Sequence, residues 1–415
     1  MKFDTIIIGG GLSGLTAGIA LAEAGKDVAV VSNGQSTLHF NGGTMDLLGC
    51  DEDGNAVRNP LEAIAALNNS HPYKKVGDVK ALAEKAQRLL AGAGIATEGN
   101  AEKNHWRITP IGGMKPAWLS LKGMAMIDDP DHMSWKSVAV VNIVNYLDFL
   151  SPFVAEALRV RGVEVDVREF TTPELDEARK SPSEMRATNI AKVVERQDLT
   201  QTVADAINCC LDKDYDMVLL PAVLGISSGE RGAQLLRLID NPAAFVATLP
   251  PSVPGVRMQT LLRKRFQQLG GTFIVGDQVT GGRFEGNQLK SVTTAKLDGS
   301  VLEAENFLLA TGSFMSRGLV ADYNHIYEPA LGVDVDDNGL DRATWAALEV
   351  TDPQPYMETG VKTDAQLKCC KAGTTITNLY AAGSILSGHN GIKRVDATGV
   401  DMITALQVAN HILNS

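Results

Sequence analysis

The segment Gly9-Gly10-Gly11-Leu12-Ser13-Gly14 constrains what this chain can fold into more than any other stretch. It follows Phe3-Asp4-Thr5-Ile6-Ile7-Ile8, an apolar run rich in β-branched residues and therefore a candidate buried parallel strand. It opens Leu12 to Ala24, where Leu12, Leu15, Ile19 and Ala22 recur at helical spacing and Gly25 stands at the position of a C-terminal cap. Asp27 to Ser32 is a second apolar strand. Strand, helix and strand within about 30 residues make a right-handed βαβ unit. In that setting each glycine has a task. Gly9 permits the tight turn, Gly11 lets the backbone approach a phosphate, and Gly14 allows the helix to pack closely on the strand. The helix N-terminus adds free N–H groups and the positive end of its dipole.

Composition narrows the class. Apolar residues make up 44% and charged residues 21% of the chain, which excludes disorder, collagen-like repeats and coiled coils. A net charge of −11 opposes binding to nucleic acid. No apolar run approaches the roughly 18 residues that span a bilayer, and the N-terminus lacks the basic region and cleavage site of a signal peptide. The expectation is a cytoplasmic chain without direct membrane insertion. Its five cysteines are Cys50 and the pairs Cys209–Cys210 and Cys369–Cys370. None has C-x-x-C spacing, so reduced thiols and no metal site are expected.

A length of 415 residues suggests two or three domains. The expected fold class is α/β, a Rossmann-type domain with a parallel sheet that is discontinuous in sequence, plus an inserted second α/β domain. Residues 1–75 form the first segment of the nucleotide-binding domain. Residues 76–249 are the insertion, because strands near Val138–Ile143, Val163–Val167, Met217–Leu220 and Phe245–Leu249 alternate with helices near 148–161, 183–196, 199–212 and 230–239. Residues 250–330 return to the first domain through a helix at Val256–Leu269, a strand at Thr272–Val275, and strands turning at Glu285-Gly286-Asn287 and Leu297-Asp298-Gly299. Residues 331–370 are read as a small substrate or cap lobe, and 371–415 as the closing segment. Trp106, Trp118 and Trp135 fall in the insertion, either as a docking surface or as core.

The acid expected at the end of the second strand, where it would bind an adenosine ribose, is missing. Val31-Ser32-Asn33 stands there, and the lost charge-assisted contact is worth about 1.5–3 kcal/mol. Either Ser32 makes a weaker ribose contact, or the ligand has no adenosine half. Two later segments favour a flavin over a nicotinamide. Ala310-Thr311-Gly312 ends a buried strand in the A-T-G turn of two-dinucleotide-domain flavoproteins. Asn378-Leu379-Tyr380-Ala381-Ala382-Gly383-Ser384 matches the C-terminal strand that delivers backbone amides to the flavin. The helix beginning near Ala397-Thr398-Gly399 is placed to stabilise negative charge on a reduced flavin. FMN is therefore the expected cofactor, with FAD as the alternative. The expected cofactor contacts are Gly9, Gly11, Gly14, Ser32, Gly34, Ser36, Thr311, Gly312, Gly383 and Ser384.

Further stretches are more specific than the glycine fingerprint. They include Gly34-Gln35-Ser36-Thr37-Leu38-His39-Phe40 with Gly43-Thr44-Met45-Asp46-Leu47-Leu48, and Ile108-Thr109-Pro110-Ile111-Gly112 with Trp118-Leu119-Ser120. Others are Glu184-Met185-Arg186-Ala187-Thr188-Asn189-Ile190-Ala191, Thr248-Leu249-Pro250-Pro251-Ser252-Val253, and Gly312-Ser313-Phe314 with Gly318-Leu319-Val320. Over nearly its whole length the chain resembles the B subunit of the anaerobic glycerol-3-phosphate dehydrogenase of bacteria. The resemblance implies a flavoprotein with FMN, paired with two partners of the same complex: the A subunit, which bears FAD, and the C subunit, a membrane-bound iron–sulfur protein. It implies oxidation of sn-glycerol 3-phosphate to dihydroxyacetone phosphate in anaerobic respiration, with electrons passed toward quinone. The chain would then lie on the inner face of the cell membrane through a partner. One stretch, Gly388-His389-Asn390-Gly391-Ile392-Lys393-Arg394-Val395-Asp396, departs from the glycine- and cysteine-containing segment that the family tends to have there.

Oxidising a secondary alcohol needs a base for its hydroxyl proton, and histidine is best poised near neutral pH. His39, after the second strand, and His389, after the C-terminal strand, are the candidates; the plain alternative for each is a surface or structural histidine. A phosphate dianion wants arginine or lysine, and Lys393 and Arg394 are the first choice, with a solvated basic turn as the alternative. Two other functions fit the same residues: a self-sufficient FAD-dependent oxidoreductase acting on another small substrate, and a non-catalytic electron-relay or scaffold protein within a complex.

Overall fold

The computed structural model describes residues 1–180, 185–297, 301–337 and 339–415. Glu184, the start of the helix expected from 183, and Asp298 and Gly299 of the expected turn lie outside them. The chain divides into two compact units. One comprises Met1–Thr37, Asp46–Ala93 and Leu262–Ser415, and the other Leu38–Met45 and Gly94–Leu261. The sequence boundaries at 76 and 249 fall elsewhere. The helix Val79–Gly92 groups with the first unit, where it packs against the C-terminal helix Ala397–Leu413.

The first unit is built on an eight-stranded sheet. Its parallel part runs in the order Thr272–Val275, Val28–Ser32, Lys2–Ile8, Leu302–Leu309, with Ile8 paired to both Val31 and Leu309. Val28–Ser32 and the adjoining ends Ile6–Ile8 and Phe307–Leu309 are buried on both faces, which explains why these stretches are almost continuously apolar rather than alternating; the edge strand Thr272–Val275 is partly exposed. The helix Leu12–Glu23 is likewise apolar all round, and every residue from Leu12 to Ala22 is buried. It packs against Ala397–Leu413, another helix buried on most sides. Gly25 closes the first helix at φ +82°, with the Lys26 N–H donating to the Leu21 carbonyl at 3.1 Å.

The strand Leu302–Leu309 divides its second edge between two partners. Ser291 and Val292 of an antiparallel strand pair with Glu303 and Leu302, whereas Leu379 to Ala381 pair in parallel with Phe307 to Leu309. Where partners change, a ladder leaves backbone groups unpaired in the interior. Asn378 fills that gap. Its side-chain oxygen accepts from the Leu289 N–H at 2.9 Å, and its amide nitrogen donates to the carbonyls of Leu289 and Glu305, each at 2.8 Å.

The second unit contains a four-stranded parallel sheet in the order Ala243–Val246, Met217–Pro221, Ser137–Ile143, Glu164–Phe170. Helices Ser151–Arg159, Ala187–Arg196, Thr200–Cys210 and Glu230–Leu238 alternate with these strands along the chain. Short antiparallel pairings between residues 97 and 121 have no equivalent in the sequence reading, because two- to four-residue strands carry too little periodicity to detect. Trp106 and Trp118 are core residues of this region, and Trp135 is half-buried.

Each buried group left without a partner costs about 1–3 kcal/mol, and Asn378 serves three of them. Asn378→Ala is therefore expected to lower the unfolding free energy by roughly 3 kcal/mol or more, measured by urea denaturation. A loss below about 1 kcal/mol would mean that the junction repairs itself without the side chain.

Candidate functional site

At the carboxyl ends of the first two strands lies an open cleft within the first unit. Such a crevice, at the ends of parallel strands, is where doubly wound sheets bind their ligands. The glycine loop forms its floor, and the three glycines separate cleanly in what they do. A Cβ on Gly9 would stand 2.6 Å from the carbonyl carbon of Ala310, and the residue sits at φ +119°. A Cβ on Gly14 would overlap the Gly9 carbonyl oxygen. Both glycines are thus required by packing. Gly11 is different. A Cβ there would meet only Ser36, at 3.6 Å, and its backbone is extended at φ −83°, ψ −166°. The space beside it belongs to the cleft.

Gly9 therefore brings two distant motifs into contact, the glycine loop and the Ala310-Thr311-Gly312 turn. Thr311 and Gly312 both line the cleft, and the Thr311 hydroxyl is buried with no hydrogen-bond partner among the described residues. On the second strand, Ser32 is buried and its hydroxyl donates to the Gly34 carbonyl at 3.1 Å. Ser32, Gly34 and Ser36 line the same cleft.

The C-terminal segment joins through an acid that sequence reading missed. One oxygen of Asp401, half-buried on the C-terminal helix, accepts from the hydroxyls of Ser13 and Ser384 and from the Ser384 N–H, each at 2.9 Å. Gly383 sits at φ +82° beneath this corner, where a Cβ would come within 2.9 Å of the Ser13 Cβ. Burial raises the Asp401 carboxyl above its ordinary pKa, against the pull of the Ser13 and Ser384 hydrogen bonds. A signal for it was present: it is the one acid within an otherwise apolar helix. Arg317, an exposed residue with left-handed φ of 61°, is a second cleft residue that no motif marked.

Two further acids line the cleft, and both already hold hydrogen-bond donors. Glu328 accepts from the N–H groups of Ala330, Leu331 and Gly332 at 2.8–2.9 Å. Asp277 accepts from Thr294, Gln278 and Lys296. With three acids and Arg317 as the cationic lining residue, the cleft attracts an anion only where the glycine loop and the helix dipole point. A phosphate would fit there.

The candidate bases fall in different units. His39 lies in the second, half-buried and hydrogen-bonded to Gln259; burial lowers its pKa, against that bond. His389 lies in the first, 5% exposed, in contact with Asp396 and beside His71. Of the two basic candidates, Lys393 is exposed, and Arg394 is 9% exposed. Arg394 reaches Glu52 at 3.4 Å through Nη2, while Nε and Nη1 are buried without partners among the described residues.

An open backbone cradle at Gly11, an orphan hydroxyl at Thr311 and a helix N-terminus on one cleft fit a flavin and its phosphate. Fold and cleft define a flavoprotein of the two-motif kind, with the N-terminal glycine loop and the C-terminal strand–helix corner both lining the cleft. The FAD binding domain family matches residues 4–400. The B subunit of anaerobic glycerol-3-phosphate dehydrogenase from Yersinia enterocolitica is 40% identical, over 100% of this chain and 99% of its own length. The proteins of the same name from Pectobacterium atrosepticum and Haemophilus influenzae are 38% and 37% identical, over 100% of this chain and 99% and 100% of theirs. The chain belongs to the FAD binding domain family and, within it, to the family of anaerobic glycerol-3-phosphate dehydrogenase B subunits.

Gly11→Val should fold and lose its flavin, because its side chain fills the cleft without striking protein backbone. Gly14→Ala should fail to fold. Circular dichroism and flavin absorbance of the purified variants distinguish the two; full flavin stoichiometry in folded Gly11→Val would overturn the phosphate position.

Proposed function

We propose that this chain is the flavin-bearing B subunit of a membrane-associated dehydrogenase complex that oxidises sn-glycerol 3-phosphate to dihydroxyacetone phosphate. The observation that carries the reading is the convergence of three sequence-distant motifs on one cleft, in a chain matched over its full length by its relatives. Its partners are the FAD-bearing A subunit, which completes the dehydrogenase, and the iron–sulfur C subunit, which holds the assembly at the inner face of the membrane. Among the described residues no helix is long and apolar enough to cross a membrane, so attachment falls to a partner in this reading.

The absent acid after the second strand argues for FMN when the sequence is read alone. The cleft supports FAD. It continues past Ser32 to Asp277, Gln278 and Val279, giving an adenosine half room beside the glycine loop. The acidic residue Asp277 follows closely: the Gly276 and Asp277 N–H groups donate to the Ser32 carbonyl at 2.7 and 3.2 Å. When bound, the flavin supplies the two-electron acceptor for the alcohol. Mass analysis of the cofactor released from the purified chain is expected to return FAD. FMN would mean that the adenosine half has no place here, and a chain that binds neither flavin would overturn the assignment.

In the same reading Gly9–Gly14, Ser36 and Thr311 hold the phosphate region of the cofactor, and the Ser384–Asp401 corner orients its ring. His389 takes the hydroxyl proton; Arg394, with the exposed Lys393 next to it in sequence, receives the substrate phosphate. What supports Arg394 is its pair of buried, unpartnered N–H donors, which a dianion would satisfy. A hydrogen bond to a charged group contributes about 1.5–3 kcal/mol. Arg394→Ala is therefore expected to raise the KM for glycerol 3-phosphate about 10- to 100-fold in the reassembled complex, with a smaller change in kcat. An unchanged KM would remove Arg394 from the substrate site.

A further inference from the structure

Asp396 immediately precedes the C-terminal helix, where an aspartate ordinarily accepts a hydrogen bond from the first turn. It makes no such cap. Its carboxylate, 0% exposed, is turned instead toward two imidazoles: Oδ2 lies 2.8 Å from His71 Nε2, and Oδ1 lies 3.4 Å from His389 Nδ1. Burying a carboxylate this way forgoes a helix cap and incurs a desolvation penalty, and the flavin cleft makes no use of it.

The hydrogen bonds assign the protons. His71 Nδ1 accepts from the Tyr73 N–H at 3.2 Å, so its other nitrogen carries hydrogen and donates to Asp396. Tyr73 is itself held, its hydroxyl donating to the Leu47 carbonyl at 2.7 Å. Protonating His71 would sacrifice the bond from Tyr73, and burial opposes that charge as well. His71 therefore stays neutral and leaves the charge of Asp396 uncancelled. His389 turns Nδ1 toward that charge, which places hydrogen on Nδ1 and leaves Nε2 as its free lone pair. Asp396 sits between the two rings, so the three groups do not converge on a common point. Among the described residues no group of His, Cys, Asp or Glu is placed to hold a metal ion.

We propose that Asp396 and His71 are positioning residues that hold His389 with hydrogen on Nδ1, so that Nε2 takes the hydroxyl proton of the alcohol substrate. The proposal rests on His389 being the base in the reading above. In the step, the substrate O–H bond breaks and an N–H bond forms at Nε2. The O–H electron pair stays on oxygen and becomes the second bond of the ketone as the C–H hydrogen leaves with its two electrons to the flavin acceptor. Asp396 balances the imidazolium. The 3.4 Å separation is long, as such bonds commonly are before substrate is bound.

The test uses the full chain and the reassembled complex. Histidine-ring ¹⁵N NMR of the wild-type chain should show His389 protonated at Nδ1; hydrogen on Nε2 would overturn the assignment without any substitution. The groups facing His389 are Asp396, His71 and Asp401, with Arg394 acting on the cluster through His71. Removing the Asp396 charge makes His389 a weaker base. Asp396→Asn should thus lower kcat by roughly 100-fold or more, leave KM nearly unchanged, and move the acid limb of the kcat–pH profile to lower pH. His71→Gln keeps an N–H for Asp396 and should retain most activity, whereas His71→Leu should behave like Asp396→Asn. If His389→Gln abolishes turnover while folded Asp396→Asn keeps the wild-type pH profile, the positioning role is overturned and the base survives. Unchanged turnover in His389→Gln overturns the base itself, and the proposal with it.

Discussion

The first unit depends on a close approach between two backbones. Gly9 meets the Ala310 carbonyl, and the helix carrying Gly14 presses on Gly9, in both places too tightly for a Cβ. This contact sets the distance between the N-terminal strand and the turn that ends Leu302–Leu309, and so the width of the cleft above them. It also aims the first helix, whose N-terminus attracts an anion only if the loop before it is open. Gly11 keeps that opening. A loop with side chains at Gly9 and Gly14 would separate the strand from its neighbour before any ligand could bind.

Two polar side chains then complete what the glycines begin. Asn378 allows one strand to serve two partners along a single edge, which lets the C-terminal strand enter the parallel sheet. Asp401 draws the end of that strand and the first helix together through Ser384 and Ser13. Both act at short range, in places where water cannot satisfy backbone or hydroxyl groups. Their replacement by apolar residues would leave several donors and acceptors stranded at once.

Buried ionic groups gather in the segment between Gly388 and Asp396. Asp396 faces two histidines, and Arg394 is buried with most of its donors unspent. Buried charges without full partners are costly to keep, and they cluster where a ligand supplies the missing half. The flavin cleft, by contrast, is built from backbone and hydroxyls, with its acids already bonded.

The sequence by itself determined the βαβ unit, the glycine loop, the A-T-G turn, the C-terminal strand and helix, and the α/β character of the insertion. Each is local: apolar periodicity and glycine spacing are set by neighbours a few residues apart, so a reader of the sequence meets all the evidence in one place. It also pointed to His389 and Arg394 as chemically apt, without saying what surrounds them. Only the tertiary structure decided that Ser13, Ser384 and Asp401 meet, that Asn378 bridges three strands, that His71 reaches Asp396 across 325 residues, and that His39 belongs to the other unit. Those pairings depend on which distant segments the sheet brings side by side. No periodicity records that, because hydrogen-bond partners are chosen by position in space rather than by separation along the chain.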